Sequence, residues 1–247
     1  MKDIYKHIIS LAVFISLTVF IFNPIFFENK KIKQHDIEQW MYSANETIEF
    51  RKNNNEEALW SNSMFSGMPA YLIDVKWSNN IIIYIHKIYS LFFPHPVSSF
   101  IISFISFYIM LLCFRVRPEI ALFGSIAFTL SSYMVIGISA GHNARIGTAA
   151  FLPLILGGVH LCIHRNRNLG FIITAIALAL QLRINHLQIT YYTLLILIFY
   201  GGGQLLYFYS INKLSFFIKR ITILIFAAML SIGTFFGEIW AILEYSD

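Results

Sequence analysis

The sequence predicts an all-α fold: a polytopic bundle of about seven transmembrane helices with one large external loop. Three observations support this prediction. Of the 247 residues, 57% are hydrophobic and only 13% are charged, which is about half the charged fraction of soluble domains. Several apolar runs approach the ~20 residues needed to cross a hydrocarbon core. One long polar segment, residues 28–96, interrupts these runs.

The first predicted span, residues 8–27, follows Lys2 and Lys6 and is longer than the apolar part of a typical signal peptide. No small-residue cleavage site follows it, so we interpret it as a retained signal anchor. The predicted domains are a signal-anchor helix (1–27), an extracytoplasmic loop with amphipathic and interfacial helices (28–96) and a six-span bundle (97–247). The later spans are predicted at 97–114, 119–139, 146–163, 169–185, 189–209 and 221–240.

Charges in the short connecting segments predict the orientation. With the amino terminus in the cytoplasm, nine Lys and Arg residues fall in short inner segments, and only Arg145 and Arg183 fall in short outer ones. This distribution follows the positive-inside rule, so the loop 28–96 is expected to be external. The basic residues are scattered beside apolar helices and do not form one polar face, which argues against a nucleic-acid partner.

The external loop contains the first candidate for catalysis. Residues 36–51 have apolar side chains at helical spacing, which predicts an amphipathic helix beginning at or near Asp36. An aspartate there can cap the free amides of the helix, or it can act as a general base that deprotonates an acceptor hydroxyl. Residues 81–93 are apolar and aromatic, as expected of a helix lying on the outer leaflet.

The other unusual polar residues gather at the predicted outer ends of the spans. The fifth span is short: its apolar run, 169–182, covers about 21 Å of a core of about 30 Å. Arg183 and His186 would therefore lie recessed in the bundle. Arg145 and Arg183 have the fork geometry that binds phosphate, although either arginine can also extend to ordinary lipid headgroups.

Histidines and aromatic residues each leave two interpretations open. His142, His186 and Asp36 could together bind a metal, but tight ligand spacing is absent and a histidine at a helix end is more often a hydrogen-bonded cap. We therefore predict no metal site, and the sequence leaves any cofactor open. Trp40 and Trp60 could stack on sugar rings, but aromatic residues are also enriched at membrane interfaces.

Several motifs in succession make the chain similar to the YfhO-type bacterial membrane proteins, and the match covers nearly the whole chain in order. An Asp followed by Gln-Trp comes soon after the first span. The other motifs are Trp-Ser-Asn-Ser-Met-Phe-Ser-Gly-Met-Pro-Ala-Tyr (60–71), Pro-His-Pro (94–96), Ser-Ser-Tyr (131–133), Gly-His-Asn-Ala-Arg (141–145) and Asn-His-Leu-Gln-Ile-Thr-Tyr-Tyr (185–192).

That family resembles the GT-C glycosyltransferases, which use polyprenyl-phosphate sugars outside the cytoplasm and carry a catalytic acid in the first external loop. The resemblance implies that Asp36 is this acid and that the chain lies in a bacterial inner membrane. It also implies a polyprenyl-phosphate sugar as donor and an envelope glycan or lipid as acceptor. The residues expected to bind substrate are Trp40, Trp60, His142, Asn143, Arg145, Arg183, His186 and Gln188.

Family members are longer, with further spans, so the chain is expected to be the amino-terminal part of such an enzyme. Two other functions stay open. A transporter or flippase of lipid-linked sugars would favour polar residues at mid-membrane in broken helices, whereas here they gather at outer ends. A non-catalytic remnant is the third possibility, because the chain ends soon after the seventh predicted span.

Overall fold

A computed structural model describes residues 4–74 and 80–246, and these residues are mainly α-helical with very little strand, which confirms the predicted all-α class. The helices are α1 (Ile4–Ile21), α2 (Asn23–Phe27), α3 (His35–Ser43), α4 (Asn45–Asn54), α5 (Ile82–Tyr89), α6 (Val97–Cys113), α7 (Pro118–Thr129), α8 (Ser132–Ala140), α9 (Asn143–His164), α10 (Arg167–Arg183), α11 (Leu187–Ser210), α12 (Leu214–Gly233) and α13 (Phe236–Ser246). Two short antiparallel strands, β1 (Trp60–Ser61) and β2 (Met68–Pro69), and a 3-10 helix (Ala70–Leu72) complete the described elements.

Four of the described helices, α1, α9, α11 and α12, are long and apolar enough to cross a membrane. Helices α7 and α8 meet at a bend of 42° and together supply a fifth candidate. Helix α6 is apolar but has only 17 residues, and α10, also of 17 residues, begins and ends with an arginine. The structure thus supports four or five candidate spans, and the number seven stays a prediction.

Three predicted spans are each divided into two helices. The first becomes α1 and α2, because Pro24 lies in the first turn of α2, where its missing amide hydrogen leaves no bond unmade. The third is divided at Leu130 and Ser131, and Ser131 has extended backbone angles. The seventh is divided after Gly233, where α12 ends, and α13 begins at Phe236.

Helix α9 lies at the centre of the bundle and packs against α6 and α10 through small residues. A methyl group on Gly157 would lie 2.8 Å from the backbone of Met110 on α6. A methyl group on Gly170 of α10 would overlap the backbone of Cys162 on α9. Small residues allow the helix backbones to approach this closely, as in many membrane proteins. Helices α1, α11 and α12 lie outside this centre, with apolar outward surfaces.

The polar loop 28–96 contains helices and strands, and two networks of hydrogen bonds and ion pairs stabilise it, one centred on Glu46 and the other on Arg51. The Glu46 carboxylate on α4 accepts hydrogen bonds from the Ser61 hydroxyl (2.6 Å) and from the backbone amides of Asn62 and Ser63 (3.0 and 2.8 Å). Hydrogen bonding, first from the Ser61 hydroxyl, lowers the pKa of Glu46 to about 2. A second network is centred on Arg51, which forms a fork-to-fork pair with Glu57 at 2.6 Å and also contacts Asp74 at 2.9 Å.

The predicted amphipathic helix of residues 36–51 is present as two helices, α3 and α4, which meet at the buried Ala44. The predicted interfacial segment contains α5. The loop contacts the end of the bundle directly. The Tyr71 hydroxyl donates to the Ala241 carbonyl (2.9 Å), and the Asn80 amide donates to the Thr234 carbonyl (3.2 Å).

Candidate functional site

A cavity of about 890 Å³ lies where the polar loop meets the bundle. Its walls come from the segment before α3, from the α5–α6 connection, from the start of α9 and from the end of α10. It is lined by Ile25, Lys30, Lys31, Ile32, Gln34, Asp36, Ile37, Trp40, His86, Pro94, His95, Pro96, Ser98, Ser99, Gly141, Asn143, Ala144, Gly147, Arg183 and Ile184. Four of the residues predicted for the site are therefore together: Asp36, Trp40, Asn143 and Arg183.

Asp36 lies in the first turn of α3, whose N-cap residue is Gln34. The cap interpretation of Asp36 is therefore wrong, although a carboxylate in a first turn still interacts favourably with the helix dipole. The Asp36 Oδ2 atom lies 2.9 Å from Nδ1 of His142, and both side chains are about 40% exposed (41% and 42%). Asp36 is thus oriented by a predicted site residue while its carboxylate stays accessible.

Gly141 makes this arrangement possible, because it ends α8 with a φ of +98° that favours glycine. A methyl group there would lie 3.2 Å from Cβ of Asp36 and 3.2 Å from Cβ of Gln34. The α8–α9 connection therefore approaches the start of α3 so closely that a side chain at position 141 would crowd Asp36 and Gln34.

Gln34 and Asn143 hold the loop onto α9 through a reciprocal pair of amide hydrogen bonds, at 2.9 and 3.1 Å. Gln34 also donates to the carbonyl of Ile138 in α8. Both amide side chains are buried, with 6% and 7% of their surface exposed. Buried amides that are fully hydrogen-bonded to each other favour one relative position of the segments that carry them. This pair therefore determines where α3, and with it Asp36, lies relative to α9.

The cavity wall carries more positive than negative charge. Lys30, Lys31 and Arg183 line it, whereas Asp36 is the single carboxylate among its described lining residues; Lys30 also pairs with Glu28, which does not line the cavity, at 2.6 Å. His86 also lines it, and burial, followed by the positive charge of Arg183, lowers the pKa of His86 to about 4. His86 is therefore neutral near pH 7, and its ring can donate or accept a hydrogen bond. Burial likewise lowers the pKa of His95.

A second, smaller cleft adjoins this cavity. It has a volume of about 370 Å³ and shares Ile25, Lys30, Lys31 and Ile32 with the main cavity. The rest of its lining is mainly apolar and comes from α1, α2, α6, α7 and α8: Ile21, Phe22, Pro24, Phe100, Leu130, Val135, Ile138 and Ser139. The main cavity, which is lined by Asp36 and Arg183, and the apolar cleft therefore meet at two lysines.

The other predicted site residues do not line the cavity. Arg145 stacks over Tyr133 at 5.4 Å, and its buried Nε has no hydrogen-bond partner among the described residues. Gln188 donates to the Tyr192 hydroxyl on the surface of α11 (2.9 Å). Trp60 lies in strand β1, where its ring covers Gly67. Their roles in substrate binding stay predictions.

His186 precedes α11 and also lies outside the cavity lining. Its side chain forms no cap hydrogen bond with the helix, and its buried Nδ1 has no partner among the described residues. In residues 4–74 and 80–246, no cluster of three or more His, Cys, Asp or Glu side chains has the spacing to hold a metal ion.

The sequence reasoning missed Lys30, Lys31, His86 and His95 as parts of the site. The lysines follow the first span, where cations are common regardless of function. His95 stands in the Pro-His-Pro motif, and this motif was the available signal for it. Comparisons with models of protein families, with curated proteins and with solved structures found no match for the chain, so membership of the YfhO-type family stays a prediction.

Proposed function

We propose that the chain is a membrane glycosyltransferase of the YfhO type, or the amino-terminal part of one, that transfers a sugar from a polyprenyl-phosphate carrier to an extracytoplasmic glycan or lipid acceptor. One observation carries the proposal. An accessible carboxylate, Asp36, faces the same cavity as Lys30, Lys31 and Arg183, and this cavity joins an apolar cleft. A lipid-linked sugar phosphate needs these three chemical environments side by side.

Each group has a role in an inverting displacement. The acceptor hydroxyl attacks the anomeric carbon of the sugar, and Asp36 accepts the hydroxyl proton. The bond between the anomeric carbon and the phosphate oxygen breaks, and the electron pair leaves with the polyprenyl phosphate. Lys30, Lys31 and Arg183 stabilise the negative charge that develops on this phosphate. The products are the new glycoside and the free carrier phosphate.

The apolar cleft supplies the binding energy for the carrier. Burial of isoprenoid carbons is worth roughly 25 cal/mol per Å² of apolar surface, and the cleft has aliphatic and aromatic walls from Phe22, Phe100 and Val135. When the isoprenoid tail of the carrier occupies the cleft, its phosphate lies beside Lys30 and Lys31, which line both the cleft and the main cavity. The sugar then extends into the main cavity toward Asp36.

The same proposal includes the orientation in a bacterial inner membrane. The amino terminus is cytoplasmic, the chain crosses about seven times, and residues 28–96 face outward. The distribution of Lys and Arg supports this orientation. The position of the cavity is consistent with this orientation. Its residues from the α8–α9 connection and from the end of α10 belong to predicted outer segments, and so does the loop.

The test is transfer of labelled sugar from polyprenyl-phosphate carriers into membrane glycans by cells that express the full chain. Asp36→Asn keeps the size of the side chain but removes the base, so transfer should fall by about 10²- to 10⁴-fold. Glu38→Gln is the matched control, because it neutralises an acid on the same helix that does not line the cavity. Equal activity in wild type and Asp36→Asn would refute Asp36 as the base, and no transfer by wild type would favour a non-catalytic remnant.

A transporter or flippase of lipid-linked sugars is a second candidate, favoured by the break between α7 and α8. The two helices are bent by 42°, and residues next to the break, Leu130 and Val135, line the apolar cleft. Broken helices beside a substrate site are typical of transporters. Movement of a labelled carrier across proteoliposomes without formation of a new glycosidic bond would support this candidate over the transferase.

A further inference from the structure

A second charged site lies at the opposite end of the central helix. Asn143 begins α9 beside the cavity, and Arg165 follows its last residue, so the two lie about 33 Å apart along a helix of 22 residues. At this far end, a surface cleft of about 360 Å³ is lined by Arg165, Asn166, Arg167, Asn168 and Arg220. The described lining consists of three cations and two amides, with no acid.

Arg220 comes from a different helix and is held in place. It lies in α12, with its guanidinium group 4.6 Å from the centre of the Phe216 ring. Its Nη1 atom is buried and has no hydrogen-bond partner among the described residues. Buried donors in proteins are normally paired, and a charged donor is expensive to leave unpaired. This atom therefore points to an acceptor from outside the chain.

The amides of the cleft already use their acceptor oxygens. Asn166 Oδ1 accepts from the backbone amide of Leu169 (3.0 Å) and thereby caps α10. Asn168 Oδ1 accepts from Nε of Arg167 (3.0 Å). Arginine side chains have donors only. The groups of the cleft that can still form hydrogen bonds are therefore mainly donors. In the described part of the chain, no carboxylate forms an ion pair with any of the three arginines.

We propose that this cleft binds the phosphate of an acidic membrane lipid, independently of the sugar-transfer site. Phosphate suits forked guanidinium donors, and the amino-terminal end of α10 adds the favourable end of a helix dipole. A lipid is the source because the cleft lies where two candidate membrane-spanning helices, α9 and α12, end or begin. Basic pockets at this level between transmembrane helices bind lipid headgroups. Phe216, an exposed aromatic residue beside Arg220, borders the position of an acyl chain.

The test uses the purified full chain in a neutral detergent, with thermal unfolding followed as ligand is added. The probes are phosphatidylglycerol, phosphatidylcholine and inorganic phosphate, because a ligand that binds the folded state raises the unfolding temperature. Phosphatidylglycerol should raise it, and phosphatidylcholine should not. Arg220→Gln should weaken the apparent affinity for phosphatidylglycerol by about tenfold. Arg220→Lys keeps the charge but loses the fork, so it should also weaken binding.

Lys219→Gln is the matched control, because Lys219 is the exposed neighbour of Arg220 and does not line the cleft. It removes the same charge and should change the affinity less than about twofold, as expected of a solvent-exposed charge. Equal weakening by Lys219→Gln and Arg220→Gln would refute a defined site in favour of diffuse attraction. If Arg220→Gln fails to fold, Arg167→Gln, at an exposed position, provides the same comparison.

The two sources of phosphate give different results. If inorganic phosphate displaces phosphatidylglycerol only when inorganic phosphate is at a much higher concentration, this would support recognition of a phosphate that belongs to a lipid. Stabilisation by inorganic phosphate without any by phosphatidylglycerol would overturn the lipid as ligand. Equal stabilisation by phosphatidylcholine and phosphatidylglycerol would show that net lipid charge is not recognised, and this too would overturn the proposal.

Discussion

Replacement of Gln34 by methionine should loosen the connection between the polar loop and the central helix. Methionine keeps the length of the side chain but removes both hydrogen bonds with Asn143 and the bond to the Ile138 carbonyl. Asn143 then becomes a buried amide without its partner, and this loss usually costs 1 to 3 kcal/mol. Because Asn143 also lines the cavity, water can replace part of the lost bonding, and we expect a loss of about 2 kcal/mol.

A double-mutant cycle makes this prediction sharper. Asn143→Leu alone should cost about as much as Gln34→Met, since each leaves the other amide unpaired. The double variant should cost about 2 kcal/mol rather than the additive 4, because no amide of the pair is then left alone. The Ile138 carbonyl retains the Gly141 amide as a donor (3.2 Å) in every variant, so it adds little to the difference.

The measurement is reversible unfolding of the full chain in mixed detergent micelles, followed by circular dichroism. Gln188→Met is the control, because Gln188 is exposed and bonds only to the exposed Tyr192 among the described residues. It should change the stability by less than about 0.5 kcal/mol. Additive losses in the double variant, or a loss for Gln34→Met no larger than that of the control, would refute the role of the amide pair.

Three further predictions concern the loop and its contacts. Gly141→Ala should lower stability by about 1 to 2 kcal/mol through its positive φ, and sugar transfer should fall further because the methyl group would displace Asp36, whose Cβ would lie 3.2 Å away. Burial lowers the pKa of His86 from 6.5 to about 4, so the unfolded chain takes up the proton first. The contribution of neutral His86 to the free energy of unfolding is therefore fully present above pH 6.5 and is lost as the pH falls toward 4. When unfolding is measured as a function of pH, His86→Gln should lack this dependence. Glu46, whose pKa is lowered from 4.5 to about 2 chiefly by the Ser61 hydroxyl, contributes stability above pH 4.5 that is lost toward pH 2. Glu46→Gln should therefore speed proteolytic cleavage of the loop at neutral pH, relative to Glu49→Gln on the same helix.

The sequence predicted the helical class and part of the cavity lining for one physical reason. Apolar runs that cross a membrane lie between its two surfaces, so polar residues at the same end of different spans come to the same depth. Asp36, Asn143 and Arg183 were placed together by this argument, and the structure brings them to one cavity. Neither the motifs nor the spacing of the residues was needed for that step.

The positions of the other cavity residues depend on how the loop folds back onto the bundle. The surfaces of the membrane do not determine this fold. Lys30 and Lys31 look like ordinary cations beside a membrane span, and the amide pair of Gln34 and Asn143 holds their segment over the bundle. Trp60 was predicted for the site from its residue type. Its actual position follows from the short strands and from the hydrogen bonds that Glu46 makes with the turn.

The two sides of the cavity differ in their capacity to change during evolution. On the helix side, Gly147 has little space for a larger residue, since a methyl group would lie 3.2 Å from Cδ1 of Ile184 and 3.4 Å from the Ser99 hydroxyl oxygen. On the loop side, Lys30 and Lys31 are exposed and lie outside any helix or strand, so exchanging them disturbs no helix packing. Variants selected for a different substrate should therefore accumulate their substitutions in residues 28–31, while the helical wall changes less.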